Sequence, residues 1–170
     1  MRLVENRPLD LDTLAELLGD RDDLSLVWPA ARYPFDANQW REALDPAEGH
    51  ISFWVAEGDA TFGHAALRAT QTPGCYAVSY LYLRPKLRGQ GRGRRLLGLL
   101  EGYARDKLRA HTLTLVVRDD NHQGVHSFGG YGFRPMAEEG SLITMSKLVW
   151  PAEGSAPVSD GPAPKAGSGP

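Results

Sequence analysis

Cysteine is almost absent. The single Cys75 excludes an internal disulfide and fits a reducing compartment. No Cys-x-x-Cys pair and no clustered histidines offer metal-ligand spacing, so no metal is expected. The opening Met1-Arg2-Leu3-Val4-Glu5-Asn6-Arg7-Pro8 lacks the apolar stretch of a secretory signal. No run approaches the roughly 20 apolar residues of a membrane span. These absences predict a cytoplasmic protein with no membrane partner. No internal repeat is visible, which argues against a solenoid. Charge of one sign is also lacking: the net value is −2, which by itself implies no partner.

What is present is uneven. Residues 1–60 carry 13 acidic and 5 basic side chains, whereas residues 61–170 carry 8 and 14. One half would attract a cation and the other an anion, although most such charges in any protein are solvated surface. The 170 residues suit one domain, and a domain of roughly 150 residues buries about 68–70% of its extended-chain surface. The composition then shifts: of the last 20 residues, 16 are Pro, Gly, Ala or Ser. We read 1–150 as the domain and 151–170 as a flexible tail that cannot bury enough apolar surface to order itself.

Periodicity predicts a short strand at 2–5 and a helix over 9–18, with Leu11, Leu14, Leu17 and Leu18 on one face. Thr13 and Glu16 have the spacing of a capping box. Residues 20–35 read as a loop, and Asp36 as the cap of a short helix containing Trp40 and Leu44. A hairpin follows, with strands at 51–57 and 61–70 around Gly58-Asp59. A third strand, 75–83, should put Tyr76, Val78, Tyr80 and Tyr82 on one face, with Ala77, Ser79, Leu81 and Leu83 on the other. The main helix runs from about 91 to 108. A strand at 112–117, a short helix opened by Asn121, and closing strands at 131–134 and 142–149 complete the chain.

The segment Leu83-Arg84-Pro85-Lys86-Leu87-Arg88-Gly89-Gln90-Gly91-Arg92-Gly93-Arg94-Arg95 joins that apolar strand to the main helix. Three glycines at alternate positions, at a helix N-terminus whose N–H groups lack partners, form an anion cradle suited to phosphate. The bland alternative is a tight turn with basic decoration. A Walker A loop is excluded, because GxxxxGK followed by Ser or Thr is absent. A dinucleotide fingerprint needs GxGxxG, and the spacing here is GxGxG. Arg-Gly sequence can bind RNA, but one copy between apolar elements, with no interleaved aromatic, argues for no nucleic acid partner.

In register, Leu83, Arg88, Gly91 and Gly93 resemble the central motif of the GNAT superfamily of N-acetyltransferases. That motif is an aliphatic residue, four residues, then Arg/Gln-x-x-Gly-x-Gly/Ala. Pro85, the Leu96-Leu97 pair, the downstream Asn121 and Gly132-Phe133, and the order of elements extend the resemblance over residues 1–149. It implies an α/β (mixed α+β) fold: a central mixed sheet of about six to seven strands flanked by helices in a single domain. It implies acetyl-CoA, or another acyl-CoA, as cosubstrate and an amine as acceptor, reacting by direct attack. The pyrophosphate would rest on the amides of Arg88, Gly89, Gln90, Gly91, Arg92, Gly93 and Arg94. The pantetheine would run beside Leu81, Tyr82 and Leu83, with the Leu83 amide facing the thioester carbonyl. A homodimer is the assembly that the resemblance suggests.

Other positions carry two readings. Asn121 would touch the CoA arm or simply cap its helix. Phe128 stands beside that arm, where the family often places a tyrosine that protonates the departing thiolate; a phenyl ring has no proton to give. His126, Tyr131 or water would then substitute, with a core role as the other reading of Tyr131. His64 is a candidate base, because imidazole titrates near pH 6.5, or a half-buried strand histidine. Trp28, Tyr33 and Tyr80 would line the acceptor wall for a small-molecule or peptide amine, or pack in the core. Against the enzyme stands an acyl-CoA-binding sensor that kept the loop and lost turnover.

Overall fold

The computed structural model describes residues 1–149, so the expected tail at 151–170 lies outside the described residues. Seven strands form one sheet: β1 (Arg2–Glu5), β2 (Ile51–Glu57), β3 (Ala60–Ala69), β4 (Cys75–Leu83), β5 (Thr112–Arg118), β6 (Arg134–Glu139) and β7 (Leu142–Leu148). Their order is β1-β2-β3-β4-β5-β7-β6. All neighbours are antiparallel except β4 and β5, which are parallel. The helices are α1 (Leu11–Leu17), α2 (Arg21–Val27), α3 (Ala37–Ala43), α4 (Arg92–Leu108) and α5 (His122–Gly130). The expected mixed α/β sheet of six to seven strands is therefore what the chain forms.

The sheet divides two apolar cores. On one face Leu96, Leu97, Leu100 and Ala104 of α4 pack with Phe53, Val55, Leu67, Val78, Leu113, Leu115 and Phe133, and Val125 and Phe128 of α5 join them. On the other face α1, α2 and α3 contribute Leu11, Leu14, Leu24 and Trp40 against Ala66, Tyr80 and Tyr82.

The three N-terminal helices begin alike. Asp10 caps α1 by accepting from the Thr13 N–H, so Thr13 sits inside the first turn and is not the expected cap. Asp20 accepts from the N–H groups of Asp22 and Asp23, and Asp36 from those of Asn38 and Gln39. A carboxylate there satisfies orphan amides and complements the helix dipole. Three of the 13 acidic residues in the first 60 are thus helix caps. Asp20 also nucleates α2 inside the segment expected to be loop.

Two further departures matter. Residues 131–133 are not a strand: Gly132 has φ +105 and Phe133 is fully buried, so β6 begins only at Arg134. The side-chain alternation of β4 also breaks. Val78 and Tyr76 face the α4 core, but Tyr80 and Tyr82 face the α1–α3 core, while Leu81 and Leu83 take over the α4 side. The cause is a bulge. Ser79 pairs with Ala66 and Tyr82 with His64, leaving Tyr80 and Leu81 opposite Ala65 alone, and Tyr80 has φ +53. The four expected face-mates are therefore split two and two.

Candidate active site

Just ahead of the bulge, β4 leaves its parallel neighbour. The β4–β5 ladder holds only Cys75↔Thr112, Tyr76↔Leu113 and Ala77↔Thr114. From Val78 onward a seam opens in mid-sheet. Backbone groups alternate in direction along a strand, and the Arg84 N–H bonds the Phe62 carbonyl of the β3 side at 2.9 Å. The N–H and C=O of Leu83 accordingly face the seam, and its C=O accepts from Arg88 Nε at 2.8 Å.

At the mouth of the seam lies the glycine loop. Gly89, Gln90 and Gly91 have φ of +82, +54 and +72, and Gly91 is the N-cap of α4. This left-handed run turns amides outward. Among the described residues, the N–H groups of Gly89, Gln90, Gly91, Gly93 and Arg94 make no backbone hydrogen bond, whereas those of Arg92 and Arg95 bond Gly89 and Gly91 carbonyls. A Cβ built on Gly89, Gly91 or Gly93 meets nothing within 4 Å. The glycines are open toward solvent, as a seat for phosphates requires. A cavity here is lined by Met1, Glu57, Gln90, Gly91, Arg92 and Arg95.

The loop arginines are not simply free cations. Arg88 turns back to Asp23 of α2, Arg92 reaches Glu57 at 3.4 Å, and Arg94 donates to the Gly130 carbonyl at 3.1 Å. Arg95, which the motif reading passed over, lines the cavity with Gly91. Its signal was available: one helical turn separates it from the cap.

The other anticipated residues fall in three places. Trp28, Tyr80 and Trp40 form one aromatic cluster, with Trp28 centred 5.1 Å from each of the other two rings. Tyr33 is apart from it, 54% exposed and covered by the Arg21 guanidinium. Burial pushes the Tyr80 hydroxyl above its usual range.

His64 is fully buried, with Nδ1 3.0 Å from the Tyr80 carbonyl and Nε2 2.8 Å from Ser52 Oγ. Burial, opposed only by the Tyr80 bond, lowers its pKa to about 4, so the ring is neutral.

On the α4 side, Phe128 packs with Phe133 and Val125 in the core, and His126 is exposed on α5. Tyr131 also joins the core. Its ring lies between Arg94 and Lys147, and burial together with a hydrogen bond to Glu101 pushes its hydroxyl up to about 12. Asn121 caps α5 through the Gly124 N–H at 2.9 Å. Asp23 and Ser52, which nothing in the motifs marked, hold Arg88 and His64 respectively.

The model of the Acetyltransferase (GNAT) family matches residues 13–133. An uncharacterised protein of Mycobacterium leprae is 31% identical over 150 residues, covering 87% of this chain but 36% of that protein. The chain thus spans about a third of that relative. Among solved structures, spermidine N-acetyltransferase from Vibrio cholerae, in complex with CoA and spermine, superposes with a TM-score of 0.71 at 18% identity. That match covers 86% of this chain and 94% of the other. The GNAT domain of Streptomyces lividans PAT gives 0.70 at 14% identity over 86% and 89%, and a Campylobacter jejuni N-acetyltransferase 0.64 at 17% over 86% and 96%. At these identities the structural likeness is one of fold.

Proposed function

The chain belongs to the acetyltransferase (GNAT) family, and from that premise we propose that it transfers an acetyl or other acyl group from acyl-CoA to a primary amine. The observation that carries this reading is the seam with the amide cradle at its mouth. The cradle amides of residues 89–94 would hold the pyrophosphate, with Arg95 and Arg92 flanking it. The seam edge of Leu81 to Leu83 would pair with the amide groups of the pantetheine arm as a missing strand does. The Leu83 N–H would donate to the thioester oxygen, and a donor so placed contributes about 3–4 kcal/mol in acyl-transfer enzymes.

Chemistry follows by direct attack. The neutral amine forms its bond to the carbonyl carbon, the C–S bond breaks, the amine loses a proton, and the thiolate takes one. A thiol has an ordinary pKa near 8.5, so its thiolate leaves tolerably without a side-chain acid. Water is the proton carrier that fits best, because Phe128 is apolar, Tyr131 is bonded to Glu101 and His64 has both nitrogens engaged. Trp28, whose ring packs on Tyr80, would supply an aromatic acceptor wall. Polyamines, small metabolite amines and peptide amines are the acceptor classes to test.

The experiment is acetyl-CoA turnover across an amine panel, read by free thiol release. Thiol release that depends on both substrates supports the enzyme. Tight acetyl-CoA binding without release from any amine favours a second reading, an acyl-CoA-binding module, which the apolar Phe128 position also suits.

A further inference from the structure

His64 has no role yet in this chemistry, although it is the most deeply placed polar side chain near the site. Its surroundings form a directed chain. The Tyr80 carbonyl can only accept, so His64 Nδ1 carries the proton and donates to it. Nε2 is then the acceptor and Ser52 Oγ donates to it. Ser52 Oγ in turn accepts from Asn6 Nδ2 at 3.3 Å, and Asn6 Oδ1 accepts from the Asp10 N–H at 2.8 Å. Asn6, Ser52 and His64 are the buried polar side chains of the described residues. They lie just past β1, on β2 and on β3, and the chain ends on the bulge of β4.

A chain that ends on a carbonyl cannot move a proton out of an amine, which excludes His64 as the base. It can hold a shape. The bulge takes Tyr80 out of the β3–β4 ladder, so its buried carbonyl needs another donor. A tyrosine at φ +53 is strained and persists only where its surroundings impose it. The β4–β5 ladder has already ended at Ala77, and past the bulge the edge of Leu81 to Leu83 continues along the seam.

We propose that His64 is a positioning residue: by donating to the Tyr80 carbonyl, it holds the β4 bulge and so keeps the seam open for the acyl-CoA arm. This rests on the proposed function only in naming what enters the seam.

The test compares wild type with His64→Leu, His64→Asn and Ser52→Ala by crystal structure, CoA calorimetry and steady-state kinetics below the melting temperature. Asn places an amide N–H close to the position of Nδ1 and is the conservative rescue. His64→Leu is expected to return Tyr80 to negative φ, to raise the CoA Kd and the KM for acetyl-CoA at least tenfold, and to move the amine KM less than twofold. His64→Asn should restore CoA affinity to within about threefold of wild type, and Ser52→Ala should weaken it about threefold. A merely structural histidine would lower the melting temperature without that KM split. Retention of φ near +53 with CoA affinity within twofold in His64→Leu overturns the proposal, as does an Asn variant no better than Leu. If His64→Leu does not fold, unchanged CoA affinity in Ser52→Ala overturns it. Failure of wild type to bind CoA would sink the functional reading instead, and the Tyr80 geometry of the variants would still decide the role of His64.

Discussion

Asp23 and Arg88 are 65 residues apart in sequence and 2.6 Å apart in space. The same carboxylate accepts from the Tyr82 hydroxyl at 2.8 Å, while Arg88 Nε holds the Leu83 carbonyl and its guanidinium lies 5.5 Å over the Tyr82 ring. One side chain of α2 therefore ties that helix to the end of β4 and to the glycine loop. Burial pushes the Asp23 carboxyl up, but the hydrogen bonds from Arg88 and Tyr82 outweigh it and hold the group below its usual range. Burial and the same carboxylate push Tyr82 up to about 12.

Asp23→Ala should therefore cost both stability and affinity. Arg88 and the Tyr82 hydroxyl lose a part-buried partner, an effect on the order of 1–3 kcal/mol. Thermal unfolding should drop by several degrees, and CoA affinity should fall about three- to tenfold by calorimetry. A lower melting temperature with unaltered affinity would show that α2 and the loop are independent.

Gly93→Val should separate binding from folding. A Cβ added here meets no atom within 4 Å beyond its chain neighbours and its own helix backbone, and φ at this position is not positive. Gly and Val differ little in helix propensity, by a few tenths of a kcal/mol. The expected outcome is an unchanged melting temperature and a loss of CoA affinity of tenfold or more. Normal affinity would remove residues 89–94 from the cosubstrate site.

Gly63→Ala should act in the opposite way. Its Cβ would collide with the Tyr82 carbonyl oxygen, sit 2.9 Å from Leu83 Cδ2 and 3.2 Å from Val55 Cβ. Such overpacking typically costs about 1–3 kcal/mol. Because the displaced strand carries the Leu83 amide, kcat should fall more than CoA affinity. Kinetics at a temperature where the variant is folded will read that split.

Acid should destabilise the protein before its carboxylates titrate. The folded-state pKa of His64, about 4, lies below its ordinary 6.5, so the unfolded chain takes up the proton first. The His64 contribution is complete above pH 6.5 and is lost as pH falls toward 4, with a slope approaching about 1.4 kcal/mol per pH unit. His50, lowered by burial and by Arg68, acts in the same direction. Urea titrations of wild type and His64→Asn between pH 7 and 4.5 should diverge by the His64 share; parallel curves would refute it.

Phe128→Tyr should leave CoA affinity within twofold and raise turnover above about pH 8.5, where water-derived protons become scarce and a phenol still holds its own. A falling rate with normal binding would show that the ring serves by packing alone.

Local features were legible in the sequence, and long-range ones were not. The loop 88–94 announces itself because three glycines and a helix start are contiguous. α4 and β5 follow from their own periodicity. α2 was hidden by the Trp28-Pro29 and Tyr33-Pro34 that follow it, although Asp20 ahead of Leu24 and Val27 was a readable start. The bulge was invisible, because strict alternation in 75–83 is the default and the donor to the Tyr80 carbonyl, His64, stands on another strand. The pairing of Asp23 with Arg88 had no local signature at all.

The divergence of β4 from β5 leaves a sheet whose two halves are stapled by three ladder pairs. If an acyl-CoA arm completes that ladder, folding and cosubstrate supply become thermodynamically linked. A ligand at 100 times its Kd adds about 2.7 kcal/mol of apparent stability. Amide exchange along Leu81 to Leu83 and along the seam side of β5 would then slow in step with acetyl-CoA concentration. Each product release would unzip the middle of the sheet and rewet its edge. The molecule would be most vulnerable to heat and proteolysis in the interval between turnovers.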